Sequence, residues 1–168
     1  SQQKPWGEIN NLIFDLYGLD KNDQQVIKDT LEVGEPFKKS RDRANAVPTK
    51  SERQSFYLRL QKFLSPSFSI TNEQVSINEV EFKNQDIISS WHFFFVSSST
   101  IVTNPAEKMH ESLLHKISEE ANKTGCSRVI VHGDGYLIIG IISQYRYWTL
   151  SRAQLCALEI QRRHLDTF

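Results

Sequence analysis

Trp91-His92-Phe93-Phe94-Phe95-Val96 is the stretch that decides the fold. Aromatic and β-branched side chains dominate it, and these favour a half-buried or buried strand over a helix. Before it, from Ile70, the residues Val75, Ile77, Val80 and Phe82 mark another strand-like segment. Asn84 to Ser89 connects the two, so they read as an antiparallel pair, with Ser97 to Thr100 as strand end and loop. After it, Pro105 stands at a helix start, and Met109, Leu113, Leu114 and Ile117 recur at helical spacing. A helix from about 105 to 123 follows, ended by Gly125. Val129 to Val131 then make a short strand, Gly133-Asp134-Gly135 a turn, and Tyr136 to Ser143 a long apolar strand, together a hairpin. Thr149 or Ser151 caps a last helix whose apolar positions include Leu155, Leu158 and Ile160.

The segments before the sheet read as helical. Ile9, Leu12, Ile13, Leu16 and Tyr17 form one apolar stripe. Gly18 supplies the left-handed position that ends that helix, Leu19 closes it, and Asp20 with Asp23 caps the next helix, carried on by Val26, Ile27 and Leu31. From Gly34 and Pro36 to Pro48 periodicity vanishes, which reads as a basic linker or loop. Ser51 with Gln54 resembles a capping box, and Phe56, Leu58, Leu60, Phe63 and Leu64 describe a third helix ending near Ser65-Pro66. The expected fold class is therefore α/β (α+β): a helical hairpin and helix, then a small, mostly antiparallel sheet with one inserted helix and a C-terminal helix. Its parts are 1–35, a hairpin; 36–50, a basic linker; and 51–168, an α+β domain, the whole forming one compact unit.

A chain of 168 residues suffices for one domain with a sizeable core. The hydrophobic fraction of 39% and charged fraction of 24% argue against wholesale disorder. Formal net charge is zero, which excludes a uniformly basic nucleic-acid binder. Charge is nonetheless uneven along the chain. Glu8, Asp15, Asp20, Asp23, Asp29, Glu32 and Glu35 make the start acidic, whereas Lys38, Lys39, Arg41, Arg43, Lys50, Arg53, Arg59 and Lys62 make the next segment basic. Such cations gain by displacing phosphate counterions, which makes Lys38, Lys39, Arg41, Arg43, Lys50, Arg53 and Arg59 DNA-binding candidates. The alternative is an internal tether, with the basic stretch docked on the acidic helices before it. Two distant cysteines, Cys126 and Cys156, suit reduced thiols. No signal-peptide core and no apolar run of roughly 20 residues is seen, so a cytoplasmic protein without a membrane anchor is expected.

Catalytic motifs are weak. Glu81-Phe82-Lys83 has the Glu-x-Lys spacing by which metal-dependent nucleases present a carboxylate and a lysine from one strand face, with Asp86 or Glu79 as the further acid. His132 and Asp134 offer two ligands on a turn, an incomplete metal site. His110 and His115 are five apart and so do not share a helix face as a metal pair would. No histidine adjoins a cysteine, no nucleophile elbow exists, and Gly133-x-Gly135 lacks a dinucleotide loop's third glycine, so neither a cofactor nor a metal is expected. Gln144-Tyr145-Arg146-Tyr147-Trp148-Thr149-Leu150-Ser151 reads as an aromatic and basic strand end running into a helix. In that reading Arg146 and Trp148 share one face and Tyr145 and Tyr147 the other. Tyr145, Arg146 and Tyr147 are partner-binding candidates, because arginine and aromatic side chains dominate interfaces, and Trp148 is a core anchor.

Two of these stretches carry a resemblance. Ile13-Phe14-Asp15-Leu16-Tyr17-Gly18-Leu19, with the acid-rich helix after it, resembles the helical hairpin at the C-terminal ends of bacterial restriction-modification N6-adenine DNA methyltransferases. Gln144 to Ala153, continued by Ala157, Glu159 and Ile160, is similar to the terminal strand and helix of short proteins associated with such methylases. That family often has Lys-Pro where this chain has Ile141-Ile142, and acidic residues where Cys156 and Leu158 stand, so this end is more apolar here. The methyltransferase motifs, an Asn-Pro-Pro-Tyr type segment and a glycine-rich cofactor loop, are absent. The resemblance implies a non-catalytic accessory subunit of a restriction-modification or anti-phage system, binding a larger methylase, helicase or nuclease, with DNA as a further contact. A small metal-dependent nuclease using Glu81 and Lys83, and a homodimeric structural module, are the alternatives.

Overall fold

The computed structural model describes residues 4–34, 38–69, 74–80, 90–98 and 111–168. The helices are α1 (Lys4–Leu16), α2 (Lys21–Gly34), α3 (Lys38–Asn45) and α4 (Lys50–Ser69), with α5 (Glu111–Lys123) and α6 (Leu150–Arg163) further on. The strands are β1 (Val75–Glu79), β2 (Trp91–Ser98), β3 (Arg128–His132) and β4 (Tyr136–Ile142). They form one antiparallel sheet in the order β1-β2-β4-β3. This is the expected α+β class.

The long central strands are apolar on both faces because both faces are covered. Phe94, Val96, Leu137, Ile139 and Ile141 point to one side, where Phe56, Leu60 and Leu64 of α4 meet Ala153, Ala157 and Ile160 of α6. Trp91, Phe93, Phe95 and Ile138 point to the other, against Leu114 and Ala121 of α5. Gly140 lies where Phe93 and Val129 crowd β4; a Cβ there would come within 2.4 Å of the Phe93 ring. The sheet is thus the middle of three layers.

Capping chemistry sets the helix ends. Gly18 takes φ +63 after α1, and the Asp20 side chain accepts from the backbone N–H groups of Asn22 and Asp23 while Asp23 accepts from Asp20 N–H. Those backbone donors hold the Asp20 carboxyl below its usual range. Before α4 the reciprocal box is Thr49 with Glu52, two residues earlier than the Ser51–Gln54 spacing suggested. Nor does α4 stop at Pro66. Leu64 and Phe68 are both buried, and Gln161 of α6 donates to Phe63 O and Ser67 Oγ beside the proline, so packing carries the helix through to Ser69.

Two further expectations are corrected. The stretch read as a basic linker is helical over Lys38–Asn45. Its single buried residue, Ala44, leaves no periodicity to detect, and Arg43 pins it through its ion pairs. The aromatic segment read as a strand end is a 3-10 turn over Tyr145–Tyr147, since β4 has already ended at Ile142. Tyr145 N–H donates to Ala46 O, and Trp148 N–H to Tyr145 O, which closes the turn. The alternation of faces assumed for residues 145–148 therefore does not apply.

Candidate functional site

The basic segment divides in two. Arg43 donates to Glu32 of α2 at 2.8 Å and to Glu52 of α4, and its guanidinium lies 3.3 Å from the centre of the Tyr145 ring. Burial works against its charge, but the Glu32 and Glu52 carboxylates raise its pKa above the usual arginine range. Tyr145 Oη donates to Glu32 at 3.0 Å; burial first, then Glu32, pushes that phenol up to about 12. Arg53 is held by Glu79 and Pro48 O, and Arg59 by Asn22 of α2. Arg43 and Arg59 therefore tether the basic segment to the helix before it, the alternative raised by the reversal of charge, whereas Arg53 is tied to β1. Lys38, Lys39, Arg41 and Lys50 stay exposed.

The three partner-binding candidates are all partly buried. Tyr145 is tied to Glu32 and Arg43, Tyr147 packs on the main core, and Arg146 Nε is buried without a hydrogen-bond partner. Glu81, Lys83, Asp86 and His110 lie outside the described residues. Glu79, the alternative nuclease acid, is taken by Arg53. His132 is hydrogen-bonded to Thr167 and stacked edge-on against His164, and among the described residues no group of three or more His, Cys, Asp or Glu is placed to hold a metal. His115 faces Glu119 on its own helix.

A polar cluster that the sequence did not announce lies where β1, β2 and β4 meet α4. Ser143 Oγ and His92 Nε2 are 3.0 Å apart, and His92 Nδ1 is 3.7 Å from Glu79 Oε1. The order is that of a nucleophile, base and orienting acid. Its chemistry is withheld by its setting: Ser143 is buried, and Glu79 is committed to Arg53 at 2.7 Å. The cluster is an internal polar plug whose imidazole edge abuts Trp148. Burial first, then the Arg53 charge, pushes His92 down to about 4. An unfolded histidine titrates at about 6.5, so between these values the unfolded chain binds a proton that the folded chain refuses. Stability should therefore fall from about pH 6.5 to pH 4, by roughly 1–2 kcal/mol once partial solvent contact is discounted. Urea unfolding at a series of pH values checks this: His92→Gln should remove that part of the slope, and an unchanged slope would refute it.

The surface has two other marked features. Among the residues of α1 whose burial is described, from Gly7 on, only Phe14 is buried, leaving Leu12, Leu16 and the following Tyr17 at 69%, 81% and 73% exposure, with Ile9 and Ile13 beside them. On α6, Arg152, Arg162 and Arg163 are exposed along one face. The sequence reading passed over these arginines, although Arg163, eleven residues after Arg152, returns to within about 20° of it around the helix, with Arg162 about 80° to the side. No family model matches this chain, and neither does any curated protein or solved structure.

Proposed function

We propose that this chain is a non-catalytic accessory subunit of a bacterial restriction-modification or anti-phage system, docking on a larger methylase, helicase or nuclease through α1. The observation that carries the docking is the exposed stripe Ile9, Leu12, Ile13, Leu16 and Tyr17. Water contact on this much contiguous apolar side chain along one helix is unfavourable, and laying such a face into a partner's groove removes it. Exposed acids, Glu8, Asp15, Asp20 and Asp23, accompany the stripe. They favour a groove with a basic rim and disfavour a second copy of the same acidic helix. The resemblance of residues 13–19 and 144–160 supplies the setting in DNA modification.

Co-expression with the methylase, helicase or nuclease genes that adjoin its own, followed by light scattering on the separated complex, tests the reading. A stoichiometric complex is expected. Leu12→Glu with Leu16→Glu should weaken it by roughly a hundredfold or more, since buried interface anchors contribute about 2 kcal/mol each. A chain that remains alone beside every such protein, or that dimerises through α1, would overturn it.

A further inference from the structure

A cleft of about 900 Å3 opens between α6 and the edge strand β3. Its charged lining is lopsided for a chain of zero net charge. Arg128, Arg152, Arg162 and Arg163 face it against a single acid, Glu159, and Glu159 is paired to Arg128. Arg152, Arg162 and Arg163 have no ion-pair partner among the described residues. The remaining lining includes Ile130, Ile141, Tyr147 and Leu155, an apolar floor beneath a basic rim. Cys156 also lines the cleft, but burial pushes its thiol up to about 11, so it is inert there.

The spacing of the cations selects the ligand. Arg152 and Arg162 are ten residues apart on one helix, a rise of about 15 Å. One phosphate cannot reach both, whereas a chain of phosphates meets them in succession. The apolar floor calls for flat, unpaired faces, which stack on aromatic and aliphatic side chains whatever the base. A duplex turns its bases inward and offers that floor nothing. We infer that this cleft binds a single strand of nucleic acid, its phosphates on Arg152, Arg162 and Arg163 and its bases toward Tyr147 and Leu155. The inference does not rest on partner docking by α1, which uses other residues.

Fluorescence anisotropy with a labelled thymidine oligonucleotide of about 20 nucleotides, its uridine counterpart, and a duplex of equal length tests this. Either single strand, or both, should bind more tightly than the duplex, with a log–log salt slope of about −2 for three phosphate contacts. Arg152→Ala, Arg162→Ala and Arg163→Ala together should lower affinity at least about tenfold and bring the slope close to zero. The three lysine substitutions together should keep most of the salt-dependent binding. Replacing Lys38, Lys39, Arg41 and Lys50 by alanine should leave affinity unchanged, as should Leu12→Glu with Leu16→Glu. Absence of binding at about 20 mM salt, equal affinity for duplex, or a triple alanine variant that binds like the wild type while keeping its thermal melt would overturn the assignment.

Discussion

Trp148→Ala should cost about 3–5 kcal/mol of folding stability, enough to unfold much of a marginal domain. Trp148 is 1% exposed and sits where the three parts of the main core converge. Its ring centre is 5.1 Å from Phe56 and 5.9 Å from Tyr57 of α4, and 6.2 Å from Phe94 of β2. Its Nε1 donates to Ile142 O at 3.0 Å, which ties the end of β4 to the start of α6. Removing the indole therefore opens a large cavity and breaks this tie; Ile142 O keeps the Gln144 N–H as a donor, so the cavity supplies most of the loss. Denaturant unfolding followed by the remaining tryptophans checks the value. Tyr147→Ala, at a neighbouring but partly exposed position, should cost clearly less, and equal losses at the two sites would contradict this account.

Asp29→Ala should cost about 2 kcal/mol, an unusual loss for an acid on a helix of such polar composition. Asp29 is buried on α2, where its Oδ2 accepts from Ser151 N–H at 2.7 Å and its Oδ1 from Gln25 at 2.7 Å. Thr149 holds the N-cap position of α6 but makes no side-chain capping bond, so Asp29 caps that helix from 122 residues away. A negative charge there also meets the positive end of the α6 dipole. Alanine leaves the α6 donor unpaired and loosens α2 from α6. Asp29→Asn keeps an acceptor and should recover a large part of the loss. Hydrogen exchange would show faster opening of the first turn of α6 in the alanine variant, and unchanged exchange there would rule the cap out.

How far the chain could be read in advance depended on where each signal resided. The hairpin of α1 and α2 was legible because Gly18, Asp20 and Asp23 act within a few residues of one another. The strands were legible because aromatic and β-branched residues are concentrated in them, and the antiparallel pairing of β1 with β2 and β3 with β4 follows from short connections. Helix α3 was not legible, since Ala44 is its one buried residue and Arg43 finds its carboxylates on other helices. The 3-10 turn at Tyr145–Tyr147 was missed for a like reason: it is held by Ala46 O and Glu32, about a hundred residues back. Arginine and aromatic content marked it as a contact surface, and of its residues Tyr145 is committed internally, to Glu32 of α2 and Arg43 of α3.

By itself, the sequence determined the elements governed by local chemistry: capped helices, a covered sheet rich in aromatic residues, Gly125 and Gly135 at positive φ, and a reversal of charge in the first sixty or so residues. Only the tertiary structure decided which charges remain available. Arg43 and Arg53 are neutralised by carboxylates distant in sequence and Arg59 is held by the neutral Asn22 side chain, while Arg152, Arg162 and Arg163 line an open cleft. An ion pair or an open groove depends on distances between elements, and one residue's identity carries no information about the neighbour that folding brings to it.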